Sequence, residues 1–189
     1  LFKAQKSYSR IFIIGHSEGS LIGMVAAGKS KADGYVSIAG IAVPANEILI
    51  EQLKTAVPAQ LFDECKRNID TLSQGQLIKK PNPMLAALFR PSIQPYMISW
   101  FKYNPVEEIA KLKCPVLILQ GTTDIQVDVE NATKLASANN KAKLVTFEGM
   151  NHILKLADAD RQKNITTYMN PDLPVVPELL ESIKSFILK

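Results

Sequence analysis

Arg10-Ile11-Phe12-Ile13-Ile14-Gly15-His16-Ser17-Glu18-Gly19 begins as an unbroken apolar run and turns, at its first glycine, into small and polar residues. A strand covered on both faces reads this way because none of its positions has to face water, and such strands belong to parallel sheets. From Glu18 to Lys29 the pattern becomes that of a helix, with Gly19, Gly23, Ala26 and Ala27 small enough to let it lie close against a sheet. Gly15 to Gly19 fits G-x-S-x-G and sits directly between the strand and the helix. That context puts Ser17 on a sharp turn whose strained backbone costs on the order of 1–3 kcal/mol and lifts the hydroxyl above the sheet edge. The flanking glycines are expected to allow the close approach of strand and helix. The helix N-terminus aims at the same place, so the Glu18 backbone N–H is positioned to stabilise an oxygen that becomes negative during acyl transfer. The pentapeptide alone is common and also describes a glycine-rich turn with a passenger serine; its position after a buried strand favours the nucleophile.

Further strands and helices alternate along the chain. Tyr35 to Gly40, Pro115 to Leu119 and Lys143 to Phe147 read as strands, Val129 to Ala138 as an amphipathic helix. A last helix starts near Pro174 and Pro177 and carries Val176, Leu179, Leu180, Ile183, Phe186 and Ile187 on one face. This alternation predicts an α/β fold with a parallel sheet and right-handed crossovers. Between Pro44 and Tyr103 helical periodicity takes over and prolines cluster at Pro81, Pro83, Pro91 and Pro95. Three segments follow: sheet residues 1–43, a helical insertion over 44–103, and sheet residues 104–189.

A serine hydroxyl is a poor nucleophile at neutral pH and needs a base. The chain has two histidines. His16 adjoins Ser17 on the strand end, so its ring is expected to point away from the hydroxyl and to serve as packing for the turn. His152, in Glu148-Gly149-Met150-Asn151-His152, follows a strand at the C-terminal edge of the sheet, where sites of open α/β sheets gather. It is the expected base. A base of this kind is held in one tautomer by a carboxylate. Asp124, in Gly121-Thr122-Thr123-Asp124, follows another strand at the same edge; Asp128 reads instead as the N-cap of the next helix, and Glu148, near His152 in sequence, is a further candidate.

Composition sets the broad class. The 189 residues are 47% hydrophobic and 21% charged with two cysteines, and no apolar run approaches the ~20 residues that span a bilayer. The formal net charge of +4 and a pI near 9.0 come from scattered lysines without the interleaved arginines and aromatics of a nucleic-acid surface, so no nucleic-acid partner is expected. Cys65 and Cys114 make no disulfide framework, and Cys114, before Pro115, suits a small buried thiol. No histidine pair stands at metal-ligand spacing, and no cofactor is expected. Asn164-Ile165-Thr166 is a formal glycosylation triplet of a kind that arises by chance. The apolar residues Met84, Leu85, Leu88, Phe89, Met97, Trp100 and Phe101 either line a substrate pocket or form the insertion's own small core.

Gly-His-Ser-Glu-Gly, Cys-Pro-Val-Leu-Ile-Leu-Gln-Gly-Thr-Thr-Asp and Gly-Met-Asn-His, in that order, resemble the serine hydrolases of the α/β-hydrolase superfamily, the esterases, lipases and serine aminopeptidases among them. The resemblance frames most of the chain apart from 44–103. It implies a Ser17–Asp124–His152 triad, hydrolysis of an ester through an acyl-enzyme, and a cap or lid role for the insertion. Amide or peptide hydrolysis by the same triad is the alternative within that chemistry, and a binding module that kept the fold is the alternative outside it. Haloalkane dehalogenation is disfavoured, since it needs a carboxylate at position 17. The resemblance also implies further strands upstream, with a second oxyanion donor, so that this chain corresponds to the C-terminal part of a longer enzyme and is poorly active by itself. The four strands then form half a sheet, whose Ile11–Ile14 edge is expected to be covered by that upstream portion or by a symmetry mate.

Overall fold

The structure is a computed structural model that describes residues 8–30 and 32–189; the start of the 1–43 segment and Lys31 lie outside the described residues. Its four strands are β1 (Phe12–His16), β2 (Gly34–Ile38), β3 (Val116–Gly121) and β4 (Ala142–Phe147). They pair in parallel in the order β1-β2-β3-β4. The helices in chain order are α1 (Glu18–Ser30), α2 (Ala45–Ala56), α3 (Ala59–Ser73), α4 (Ala86–Phe89), α5 (Gln94–Trp100), α6 (Pro105–Ala110), α7 (Val129–Ala138), α8 (Arg161–Thr166) and α9 (Pro177–Leu188). The chain divides into two compact units, one of residues 1–42 with 105–189 and one of residues 43–104.

In the sheet unit, β2 and β3 are buried along their whole length, as their continuous apolar sequences require. Strand alternation sorts their side chains onto two faces. Val36, Ile38, Leu117 and Leu119 pack with Phe147, Met150, Val176 and Leu179, so this face is covered by α9 and the loop after β4. On the other face Tyr35 and Ser37 meet α1. The Tyr35 hydroxyl donates to the Ser20 carbonyl at 2.7 Å, and the Ser20 hydroxyl lies 2.9 Å from the Tyr35 oxygen and 2.7 Å from that of Ser37. Burial pushes the Tyr35 phenol far above its ordinary range, although both serine hydrogen bonds oppose the shift. These three buried hydroxyls fasten the first turn of α1 to the sheet, because each would be costly to leave without a partner.

Several local expectations change. β1 stands at the edge of the sheet, as expected, but it is not covered on both faces: Ile14 is 48% exposed. Leu180 does not share the apolar face of α9: it is 56% exposed, while Leu179 is 1% exposed against the sheet. The helix starts at Pro177, and Leu180 lies one residue, about 100°, round it from Leu179, outside the face that Leu179, Ile183 and Phe186 turn to the sheet. Cys114 is half-buried, and neither cysteine is in a disulfide. Asp128 does cap α7, its side chain accepting from the Asn131 N–H.

The helical unit has a core of its own. Leu53, Ile69 and Leu72 from α2 and α3 close on Leu85, Phe89, Met97 and Phe101. Gln94 is buried at its centre, accepting from the Ile78 N–H at 2.8 Å and donating to the Phe89 carbonyl at 2.7 Å. Cys65 belongs to the same core, and burial pushes its thiol pKa up. Among the described residues no helix is long and apolar enough to cross a membrane.

The two leucines of α9 make a direct test of this packing. Leu179→Ala is expected to lower unfolding free energy by about 2–5 kcal/mol and Leu180→Ala to change it by less than about 0.5 kcal/mol, as read from urea midpoints.

Candidate active site

Ser17 stands at the junction of β1 and α1 with φ of 55°, the left-handed region that non-glycine residues seldom occupy. Two backbone hydrogen bonds hold it there. Its N–H donates to the Ile38 carbonyl at the end of β2 (2.9 Å), and its carbonyl accepts from the Ser20 N–H (2.9 Å). The glycines of the turn differ in their reasons. A Cβ on Gly15 would strike the Gly19 carbonyl and the Ser20 backbone, whereas one on Gly19 would meet nothing within 4 Å. The close approach that both glycines were expected to permit therefore depends on Gly15. Helix α1 begins at Glu18, whose N–H is among those a helix leaves without an intrahelical carbonyl.

His152 and Asp124 arrive from two loops that are joined to each other. β3 and β4 end in register, Gly121 opposite Phe147. The Thr122 N–H then donates to the Phe147 carbonyl (3.0 Å), the Gly149 N–H to the Thr122 hydroxyl (2.9 Å) and the Thr123 N–H to the Met150 carbonyl (3.2 Å). Gly121 has to be glycine, since a Cβ there would occupy the place of the Met150 carbonyl. The result is a chain of three side chains within the sheet unit: Ser17 Oγ lies 3.0 Å from His152 Nε2, and His152 Nδ1 lies 2.9 Å from Asp124 Oδ2.

The electrostatics fix how that chain is protonated. Asp124 Oδ1 accepts from the Gln126 and Val127 N–H groups at 2.8 and 2.9 Å, and Oδ2 from His152 and from Gln120 Nε2 at 3.2 Å. The Asp124 side chain is 1% exposed and that of His152 7%. Burial raises the Asp124 pKa, but the hydrogen bonds from His152 and the two backbone amides outweigh it and hold the carboxyl below the usual carboxylate range. An ionised carboxylate only accepts, so Nδ1 carries the hydrogen. Neutral His152 thus presents a bare Nε2 to Ser17, whose hydroxyl donates to it.

His16 does more than pack. Its Nε2–H donates to the His152 carbonyl at 2.8 Å and its ring lies 4.9 Å from the His152 ring. Sequence reasoning missed this bond, and also Gln120, whose signal was a polar side chain in an otherwise apolar buried strand. Asn164 is fully buried and hydrogen-bonded, so its triplet offers no acceptor in the folded chain. Of the residues named for a substrate pocket, Phe89, Met97 and Phe101 are spent in the core of the helical unit, as is Leu85; Leu88 and Trp100 pack partly buried against it, and Met84 is 75% exposed. These placements favour the second of the two readings left open for that apolar cluster, an internal core.

Est1E from Butyrivibrio proteoclasticus superposes with a TM-score of 0.55 over 99% of this chain and 65% of its own, at 19% identity. The likeness is one of fold: an α/β fold with a four-stranded parallel sheet, α/β-hydrolase-like. The esterase domain of a Rhodothermus marinus protein gives a TM-score of 0.50 over 89% of this chain and 61% of its own, at 18% identity. By sequence the chain is esterase-like: it is 29% identical to Esterase EstD of Thermotoga maritima over 157 residues, 82% of this chain and 37% of that protein. It therefore spans little more than a third of the curated relative, and under two thirds of each of these two solved chains. No family model matches the chain.

Two measurements check the site as built. Gly15→Ala is expected to lower the melting temperature sharply, while Gly19→Ala leaves it nearly unchanged, because only the former meets backbone. The second concerns pH. The folded Asp124 pKa lies below the ~3.9 of an unfolded aspartate, so the group stabilises the fold above that value, and this contribution is lost as pH falls through the folded pKa. Urea midpoints are expected to decline on acidification below about pH 5, and Asp124→Asn to flatten part of that slope.

Proposed function

We propose that the chain carries the catalytic residues of a carboxylesterase that works through an acyl-enzyme. The observation that supports this most directly is the continuous hydrogen-bonded path from Ser17 Oγ through the His152 ring to Asp124. In this reading Ser17 attacks the ester carbonyl carbon as its proton passes to His152 Nε2. Asp124 keeps the ring in the Nδ1–H form and stabilises the imidazolium. His152 then gives the proton to the leaving alcohol, and a water molecule deprotonated by the same nitrogen releases the acid. The Glu18 N–H at the start of α1 donates to the carbonyl oxygen as it becomes negative, where one such donor is worth roughly 2.7–4 kcal/mol. An ester substrate is favoured over an amide by the sequence likeness to Esterase EstD. The helical unit of residues 43–104, inserted between β2 and β3, takes the cap role in this reading.

The test is covalent labelling and turnover. A fluorophosphonate probe is expected to label the protein at Ser17, and acyl esters to be hydrolysed in preference to aminoacyl anilides. Ser17→Ala should abolish labelling and lower kcat by about 10³-fold or more. Preference for the anilides would move the substrate to the amide class, and failure of the folded protein to label would favour a binding module.

A further inference from the structure

Asn164 lies outside the path from Ser17 to Asp124 and hydrogen-bonds to none of its three side chains, yet its hydrogen bonds converge on both loops that supply it. Its Nδ2 donates to the Thr123 carbonyl at 2.8 Å and to the Asp158 carbonyl at 3.0 Å, and its Oδ1 accepts from Asn151 Nδ2 at 3.3 Å. Thr123 is the residue before Asp124, and Asn151 the residue before His152. Asn164 is 0% exposed and Asn151 1%. Asn151 is itself tied down: its Nδ2 also donates to the Thr167 hydroxyl at 2.7 Å, and its Oδ1 accepts from the Lys155 N–H at 3.1 Å. The Thr167 hydroxyl in turn donates to the Asn164 carbonyl at 2.7 Å, which closes the network on α8.

A buried primary amide is an expensive way to fill space, because each donor and acceptor withdrawn from water has to find a partner. Leucine has nearly the same shape and no such demand. What the amide adds is two donors and an acceptor in one rigid plane, which can grip a carbonyl of one loop and an amide of another at once. The backbone bonds between the two loops fix their spacing near the strands, at Thr122 and Thr123. Asn164 grips them from the far side, immediately before the two side chains whose separation sets the His152–Asp124 hydrogen bond.

We infer that Asn164 is a positioning residue for the His152–Asp124 pair, acting through Thr123 and Asn151 to keep the ring nitrogen and the carboxylate in register. The inference rests on the esterase reading for its effect on turnover, since a displacement of about 1 Å at reacting groups is enough to cost about 100-fold. Its effect on the His152 tautomer stands apart from any activity.

The experiment compares Asn164→Leu and Asn164→Asp with Leu135→Ala, a buried residue of α7 whose loss destabilises the same unit. The ring nitrogen-15 shifts of the two histidines report tautomer, and His16→Gln assigns which signals belong to His152. Wild type is expected to hold neutral His152 in the Nδ1–H form. Both Asn164 variants should mix in the Nε2–H form and lower kcat for an acyl ester about 10- to 100-fold with KM within about twofold. Leu135→Ala should lower the melting temperature at least as much and keep the wild-type tautomer. Asn164→Asp, nearly isosteric, decides the matter if Asn164→Leu does not fold. An unchanged His152 tautomer in a folded Asn164 variant, or the same mixing in Leu135→Ala, overturns the inference. If wild type neither labels at Ser17 nor turns over the ester, the esterase reading fails, and the tautomer result still decides the role of Asn164.

Discussion

The parallel pairing of β3 with β4 is the constraint on which the site depends. Because Gly121 and Phe147 finish side by side, the two loops that leave the sheet do so at one level and can bond to each other before either has turned away. Parallel neighbours always end at the same edge, so residues far apart in the chain meet there without any element having to bend toward another. β1 ends at that edge too, and the Ser17 N–H bond to Ile38 ties its turn to the neighbouring strand. Asp124 and His152 are brought together by this arrangement, and Ser17 comes to them through the turn.

The charge at the site follows from the same geometry. Four donors surround the Asp124 carboxylate, two of them backbone amides of its own turn. A carboxylate so supplied stays ionised even when buried, and an ionised neighbour leaves His152 one choice of tautomer. The backbone strain at Ser17 is held by similar means: the left-handed residue is flanked by a glycine that nothing larger can replace, and α1 behind it is pinned by the hydroxyls of Ser20, Tyr35 and Ser37. Precision at these three side chains is thus obtained from polar contacts inside rigid elements, at positions where an apolar residue would pack with less demand.

The helical unit solves a separate problem. Its helices leave the sheet chain after β2 and return before β3, and they enclose Leu53, Ile69, Leu72, Phe89 and Met97 in a core of their own. Gln94 is a fully buried polar side chain in it, satisfied by backbone groups at Ile78 and Phe89. Those bonds join the irregular stretch at Ile78 and the end of α4 to α5. They explain how a stretch rich in prolines still packs in one arrangement.

The sequence by itself determined the class of the fold and the identity of the three side chains that meet. Apolar runs ending in glycine mark parallel strands, a serine between strand and helix marks the turn, and with only two histidines the base was nearly forced. All of these are local signals, written within a few residues of each other. Asp124 was favoured over Asp128 for a local reason too, since Asp128 had the position of a helix cap. Tertiary structure alone decided what holds these groups in place. The partners of His16 and Asn164 include groups as far away in the chain as His152 and Thr123, and a hydrogen bond between distant residues leaves no periodicity to read. The same holds for Gly15 and Gly19, alike in the motif, of which only the first is required by contact. Patterns along a chain record which face is buried; which donor finds which acceptor is settled only when the segments pack.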